Sequence, residues 1–282
     1  MRQFRGFKEA YPDCVLFFRM GDFYEMFDED AHTVHKALGL TLTQRSSGIP
    51  MAGIPWHAAE GYLHKMIVQG YRVAVCDQIQ DPAEAKGVVD RAVTRVLTPG
   101  TLIDESLLDA GMANTTAFIT IDDAADLATI ATAELSTGRF EVLRTDPNSI
   151  VDEVSRLGPS ELLVTESCSE HPAIVRAIAA TGCAITKRPD WTTSTDEGER
   201  LLRSHWDVGT LEGWGFQRGD ICIGAAGGLL RFLLDTRPGD DQPLAHLQPP
   251  HLRDISGVMR IDASTLRHLE IERTMRTGQR SE

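Results

Sequence analysis

Residues 15–27, VLFFRMGDFYEMF, constrain what this chain can fold into more than any other stretch. Val15–Met20 is an apolar run of strand length, and Gly21-Asp22 carries turn chemistry. An aromatic, a carboxylate and a second aromatic then follow at positions 23, 25 and 27. Side chains two apart share a face only in an extended strand; on a helix they diverge by roughly 200°. If 22–27 is extended, Phe23, Glu25 and Phe27 face one way, and Tyr24 and Met26 the other. A rise of ~3.3 Å per residue sets Phe23 and Glu25 about 6.6 Å apart. At that separation a ring can stack on a flat heteroaromatic while a carboxylate takes a hydrogen bond at its edge. The plain alternative is a half-buried edge strand, with Phe23 in the core and Glu25 in water.

The surrounding pattern is that of an α/β chain. Phe4, Phe7 and Tyr11 repeat at helical spacing. DEDAHTVHKALGL, from Asp28, predicts a helix with acids in its first turn and Gly39 near its end. QRSSGIPMAGIPW reads as a loop, stiffened by two Ile-Pro steps, in which Gly53 admits close approach of another group. A helix is expected across His57–Gln69, with Trp56 packing at its start and His57 solvated or capping. Strands are expected at 72–79 and 91–97, then an exit loop and linker at 98–110.

A second unit begins near Ala113. TTAFITIDD, DLATIATAEL and GRFEVLR predict an antiparallel meander. Helix, strand, helix and strand follow (NSIVDEVSRLG, ELLVTE, HPAIVRAIAATG, CAITKR), then helices at about 194–206 and 220–235. The Pro- and Asp-rich stretch 236–250 marks a boundary. From His251 onward a helical unit is expected (ASTLRHLEIERTM), with the chain stopping in the middle of it.

Motifs exclude several chemistries. There is no G-x-x-x-x-G-K-[ST], G-x-S-x-G or H-E-x-x-H. The cluster GAAGG (224–228) lies in an apolar helical pattern without a following Lys, which suits close helix packing better than phosphate binding. Asp122, Asp123 and Glu134 offer an alternative function, a Mg²⁺-dependent nuclease, if they converge; turn acids at a strand end are the plainer reading. Five scattered cysteines form no C-x-x-C, so a reducing cytoplasm is the simplest setting, with Cys14, Cys76 and Cys222 expected as buried thiols. No apolar run is long enough to span a bilayer. The net charge of −13 argues against coating nucleic acid with a basic face, so any nucleic-acid site must be local or shared with other parts.

Four segments in fixed order and spacing, RMGDFYEMF, IPMAGIPWHA, VAVCDQIQDPAEAKG and RVLTPGTLIDESLL, resemble the N-terminal region of the MutS family of bacterial DNA mismatch-repair proteins. The likeness is close over 1–110 and looser through 111–250, and IDASTLRHLEI is similar to the start of the family's long-helix lever region. The resemblance implies a small mixed α/β mismatch-recognition domain at 1–110, a ribonuclease-H-like α/β connector at 111–240, and the start of the helical core at 241–282. The family's F-x-E motif falls on Phe23-Tyr24-Glu25. It implies that Phe23 enters the minor groove and stacks on a mispaired base, to which Glu25 hydrogen-bonds. Groove or backbone contacts are implied for Met20, Arg45, Ser46, Pro50 and Met51, although the loop 45–49 is shorter than is usual in the family. The implied ligand is mismatched or looped double-stranded DNA. ATP and Mg²⁺ would belong to an ATPase domain beyond residue 282, and homodimerisation to helices also beyond it. MutL is the implied protein partner. For this chain itself the resemblance implies no catalysis, no cofactor, no metal and no membrane, in a cytoplasmic, nucleoid-associated setting. A relative specialised for other DNA structures would have no use for the F-x-E wedge.

Overall fold

In a computed structural model the chain is described over residues 1–45, 48–80, 89–102, 114–238 and 244–253, together with Thr265 and Leu269. It divides into two compact units: Met1–Met112 with Phe232–Ala245, and Ala113–Arg231 with His246–Glu282.

The first unit is a mixed sheet. Its strands are β1 (Val15–Met20), β2 (Phe23–Phe27), β3 (Thr43–Gln44), β4 (Pro50–Pro55), β5 (Val73–Gln78) and β6 (Arg91–Leu97), in the order β3-β4-β2-β1-β5-β6. Gly21, at φ +58°, lets the chain reverse in two residues, so that Met20 faces Phe23 across the β1–β2 pair. Strand β2 is antiparallel to both β1 and β4, while β1 is parallel to β5. The helices are α1 (Arg2–Ala10), α2 (Asp28–Leu38) and α3 (Ala59–Val68).

Strand alternation sorts the apolar residues into two layers. Val15, Phe17, Tyr24, Met26, Ala52, Ile54, Val73 and Val75 bury against Ala31 and Val34 of α2 and Leu63 and Met66 of α3. Leu16, Phe18, Phe27, Ala74, Cys76 and Val93 bury on the other face against Phe4 of α1. The carboxylate of Asp30, itself buried, joins the layers. It accepts the Leu16 backbone N–H at 3.0 Å and Lys8 Nζ at 2.7 Å, and the same ammonium donates to the Cys14 carbonyl at 2.6 Å. Burial pushes its pKa up, against the pull of those two donors.

The segment expected as a loop at 50–55 is instead strand β4, paired with β2 along its length. Its two prolines occupy the first and last positions, where a missing N–H harms the ladder least, and Ala52 and Ile54 between them are buried.

The second unit is also a mixed sheet: β7 (Thr115–Asp122), β8 (Leu127–Glu134), β9 (Arg139–Thr145), β10 (Glu161–Thr165), β11 (Ala184–Arg188) and β12 (His251–Arg253), in the order β11-β10-β7-β8-β9-β12. Strand β8 runs against its two neighbours, and the other pairings are parallel. The first five strands therefore stand in the order 5-4-1-2-3 with the second reversed, the ribonuclease-H-like arrangement. Helices α4 (Ile150–Leu157) and α5 (Pro172–Thr181) place Ile150, Val154, Ile174 and Ala177 against Ile119, Ile130, Leu162 and Val164. Further helices are α6 (Thr195–Trp206) and α7 (Cys222–Asp235). The glycines of α7 serve close packing, as their setting in an apolar helix suggests. A Cβ on Gly227 would lie 2.3 Å from the Gly198 Cα of α6.

His251–Arg253, expected to open a helical unit, are extended and pair with β9, covering an edge that would otherwise be open. The helix expected over ASTLRHLEIERTM lies outside the described residues apart from Thr265 and Leu269, as does the exit loop from residue 103 on. All five cysteines are free; Cys14, Cys76 and Cys222 are buried, and burial pushes the Cys76 thiol up to about 12. No helix among the described residues is long and apolar enough to cross a membrane. Gly227→Ala should force α6 and α7 apart and destabilise the fold by about 1–3 kcal/mol, read as a lower urea midpoint in chemical denaturation.

Candidate nucleic-acid interface

The face shared by Phe23, Glu25 and Phe27 runs from core to solvent within one strand. Phe27 is 1% exposed, with Phe4 of α1 set edge-on to its ring at a centroid distance of 5.0 Å. Phe23, four residues away, is 48% exposed. Between them Glu25 is half-buried, and its Oε2 is enclosed with no hydrogen-bond partner among the described residues. The plain expectation for this strand is thereby inverted. It is an interior strand, its aromatic stands in solvent, and its carboxylate is partly buried. Burial pushes the Glu25 pKa above the usual carboxylate value, against the field of the Arg45 guanidinium.

Residues directly opposite in an antiparallel pair point to the same face. Phe23 therefore stands between Met20 of β1 and Pro55 of β4, and Glu25 between Phe18 and Gly53. Gly53 has no side chain to cover the carboxylate. Met51 lies opposite Phe27, and Met20 and Met51 are both half-buried against the α1-side layer. Pro50, next to Met51 in β4, alternates onto the opposite face. Arg45 reaches over the Phe27 ring at 5.3 Å, and Ser46 lies outside the described residues. Of the residues singled out from sequence, Met20, Phe23, Glu25 and Met51 thus share one face, and Arg45 closes one side of it.

The turn that presents Phe23 is held by Arg19, which no sequence motif marks, and by Trp56. Arg19 Nε donates to the Gly21 carbonyl at 2.5 Å, and its guanidinium lies 4.6 Å from the centre of the Trp56 ring and 5.5 Å from that of Tyr24. The Trp56 backbone N–H donates to the Asp22 carbonyl at 2.9 Å. Both turn carbonyls are therefore tied down. Trp56 is 48% exposed beneath this cation instead of packed in the core, and His57 beside it is exposed in a single 3-10 turn. On the buried side Tyr24 donates its hydroxyl to Asp77 Oδ1 at 2.5 Å, and Thr94 donates to Asp77 Oδ2 at 2.7 Å. Burial, reinforced by Asp77, raises the Tyr24 pKa to about 12. Arg91 sits 5.0 Å over the Phe18 ring and donates to the Arg19 carbonyl at 2.7 Å. Three arginines of this sheet thus lie on aromatic rings, and of these Arg45 acts on the Glu25 carboxylate.

The acids of the second unit do not converge. Asp122 pairs with Leu127 at one end of the β7–β8 ladder and Glu134 with Thr115 at the other. At ~3.3 Å per residue, roughly 23 Å of strand separates them. Asp122 Oδ1 accepts the backbone N–H groups of Ala124 and Ala125, as a turn acid does, and Asp123 meets His171 at 3.3 Å. Glu134 accepts the Thr137 hydroxyl at 3.0 Å. Among the described residues no three His, Cys, Asp or Glu side chains are grouped to hold a metal ion. The nuclease alternative, which needed these three carboxylates together, fails on this geometry.

Comparison with known proteins matches residues 1–106 to MutS domain I and residues 116–248 to MutS domain II. A DNA mismatch repair protein MutS from Rhodopirellula baltica is 42% identical over 303 residues, covering 99% of this chain and 33% of the relative. The MutS of Lachnoclostridium phytofermentans is 37% identical over 286 residues, covering 99% of this chain and 30% of the relative. That of Anaplasma phagocytophilum is 38% identical over 277 residues, covering 96% and 33%. The chain spans about a third of the length of these relatives. Two successive domains of one family, in the order and at the places where the two folded units lie, identify it: the chain belongs to the MutS family of DNA mismatch-repair proteins and carries that family's domains I and II.

Proposed function

We propose that the first unit reads mispairs in double-stranded DNA, with Phe23 as the stacking wedge and Glu25 as the reader of the base edge. The observation that carries this reading is the half-exposed Phe23 ring, on one strand face with a carboxylate oxygen that is enclosed and has no donor among the described residues. Wedging an apolar ring into a base step from the minor groove costs a few kcal/mol of unstacking. Stacking on the base returns ~1–3 kcal/mol and tolerates any base, because every base has a π-face. A mispair is already loosely stacked and paired, so the same wedge costs least there. Discrimination comes from deformability, since bending a site smoothly costs on the order of 1–6 kcal/mol.

Glu25 adds the second half of the discrimination. A carboxylate near phosphates is repelled, and an enclosed one without a donor is penalised further. A kinked mispair would bring the edge of a displaced base to the carboxylate, whereas in an intact duplex the one minor-groove donor, the guanine amino group, stays within the stacked pair. Met20 and Met51 would lie against the groove, and Arg45 and Ser46 would contact phosphate or sugar. The second unit transmits or docks in this reading. ATP with Mg²⁺, homodimerisation and contact with MutL are assigned to the whole protein in a cytoplasmic, nucleoid-associated setting.

Phe23→Ala in the full-length protein should cut the preference for G·T or unpaired-T duplex over matched duplex by about tenfold or more, the equivalent of one lost stack. Paired titrations of labelled duplexes measure it, and an undiminished preference would sink the wedge. Glu25→Gln should tighten binding to matched duplex by removing repulsion; unchanged or weaker matched binding speaks against the discriminator role. The same variant tests the electrostatics. Because the folded pKa of Glu25 is raised, ionisation costs the fold stability as pH climbs from the unfolded carboxylate value of about 4.3 through the raised value. Glu25→Gln should therefore melt a few degrees higher than the parent at pH 7, with the difference closing below about pH 4 in thermal scans.

A further inference from the structure

Gly53 is not explained by the fold that contains it. It lies in the middle of β4, where glycine is entropically unfavourable relative to alanine. Its φ is not in the left-handed region, so the backbone does not call for glycine. Packing does not call for it either. A Cβ at position 53 would sit 3.6 Å from the Tyr24 carbonyl oxygen, 3.9 Å from Glu25 Cγ and 4.0 Å from Phe23 Cδ1, all ordinary van der Waals contacts. The contrast with Gly227, where a Cβ would meet backbone at 2.3 Å, is direct. The residue is also solvent-exposed, and it faces Glu25 across the ladder. What a side chain here would occupy is the space beside the exposed ring and the carboxylate that lacks a donor.

We propose that Gly53 is a specificity-determining position, the clearance through which a displaced nucleotide reaches Glu25. The proposal rests on the reading of Phe23 and Glu25 given above. A flat base stacked on Phe23 brings its sugar and edge against the neighbouring strand, and a strand bare of Cβ at that point lets the two surfaces meet. The ligand that fits is a nucleotide unstacked from a duplex, since the faces of a stacked base pair are covered by its neighbours and leave none for the Phe23 ring. Met51 and Pro55, on either side of Gly53 on the same face, would bound the notch along the strand.

The test sets stability against recognition. Gly53→Ala and Gly53→Val are made in the full-length protein beside Phe23→Ala. Each is measured for Tm and for affinity to G·T and matched duplexes of one sequence. Both position-53 variants are expected to melt no lower than the parent, because alanine and valine suit a strand better than glycine. Affinity for the G·T duplex is expected to fall about tenfold with alanine and further with valine, while matched binding stays within about threefold. A lower Tm for the alanine variant would show that the glycine serves the fold and overturn the proposal. So would unchanged G·T affinity, or an equal loss on both duplexes. If Phe23→Ala keeps full mismatch preference, the wedge reading itself fails. If Phe23→Ala loses preference and Gly53→Ala does not, the clearance alone is wrong.

Discussion

The register of β2 between β1 and β4 decides what this surface can do, because strand period is two and a slip of one residue would exchange its faces. In the observed register Tyr24 and Met26 enter the α2–α3 layer and Phe27 enters the α1 layer. Phe23 and Glu25 are left where that second layer runs out. A slip would instead bury Glu25 in the α2–α3 layer and expose Tyr24 and Met26. Several interactions oppose it: the two-residue turn at Gly21-Asp22, the Tyr24 hydroxyl on Asp77, and the edge-on contact of Phe27 with Phe4. The strand that carries Phe23 is therefore fixed in register by core interactions.

Charge is organised on the same scale. The chain carries a net −13, yet the charge whose field acts on Glu25 is the guanidinium of Arg45, seated on the Phe27 ring, while Arg91 on Phe18 and Arg19 on Trp56 lie elsewhere on the same sheet. A guanidinium seated on a ring still donates in its own plane, as Arg91 does to the Arg19 carbonyl. An acidic chain can thus carry local positive charge without a basic face. A carboxylate beside Arg45 works against unselective attraction to phosphate.

Much of the architecture was legible because alternation and turn chemistry coincide. The β1–turn–β2 segment, α2 ending at Gly39 and the β7–β9 meander all have local signals strong enough to survive tertiary context. The misreadings share a cause. Residues 50–55 look like a loop because proline and glycine are breakers in isolation. Whether their missing N–H groups and side chains matter depends on a partner strand that the local pattern does not name. Phe23 and Glu25 were assignable to one face, but not to exposed and enclosed states, because the cover comes from α1, remote in sequence from β4. Trp56 was expected to pack at a helix start, and the cation stacked on its ring leaves no spacing signal. Asp122 and Glu134 are twelve positions apart in sequence and at opposite ends of a hairpin in space, which register alone reveals.

The distribution of thiols carries a practical consequence. Cys14, Cys76 and Cys222 are enclosed, and at neutral pH the Cys76 sulfur is held in its unreactive protonated form. Cys168 and Cys183, both on the ribonuclease-H-like unit, are the partly accessible ones. A maleimide dye added to the native protein would accordingly settle on that unit and leave the strand bearing Phe23 unmodified. The second unit thus supplies its own spectroscopic handles, with no need to remove the native cysteines of the first.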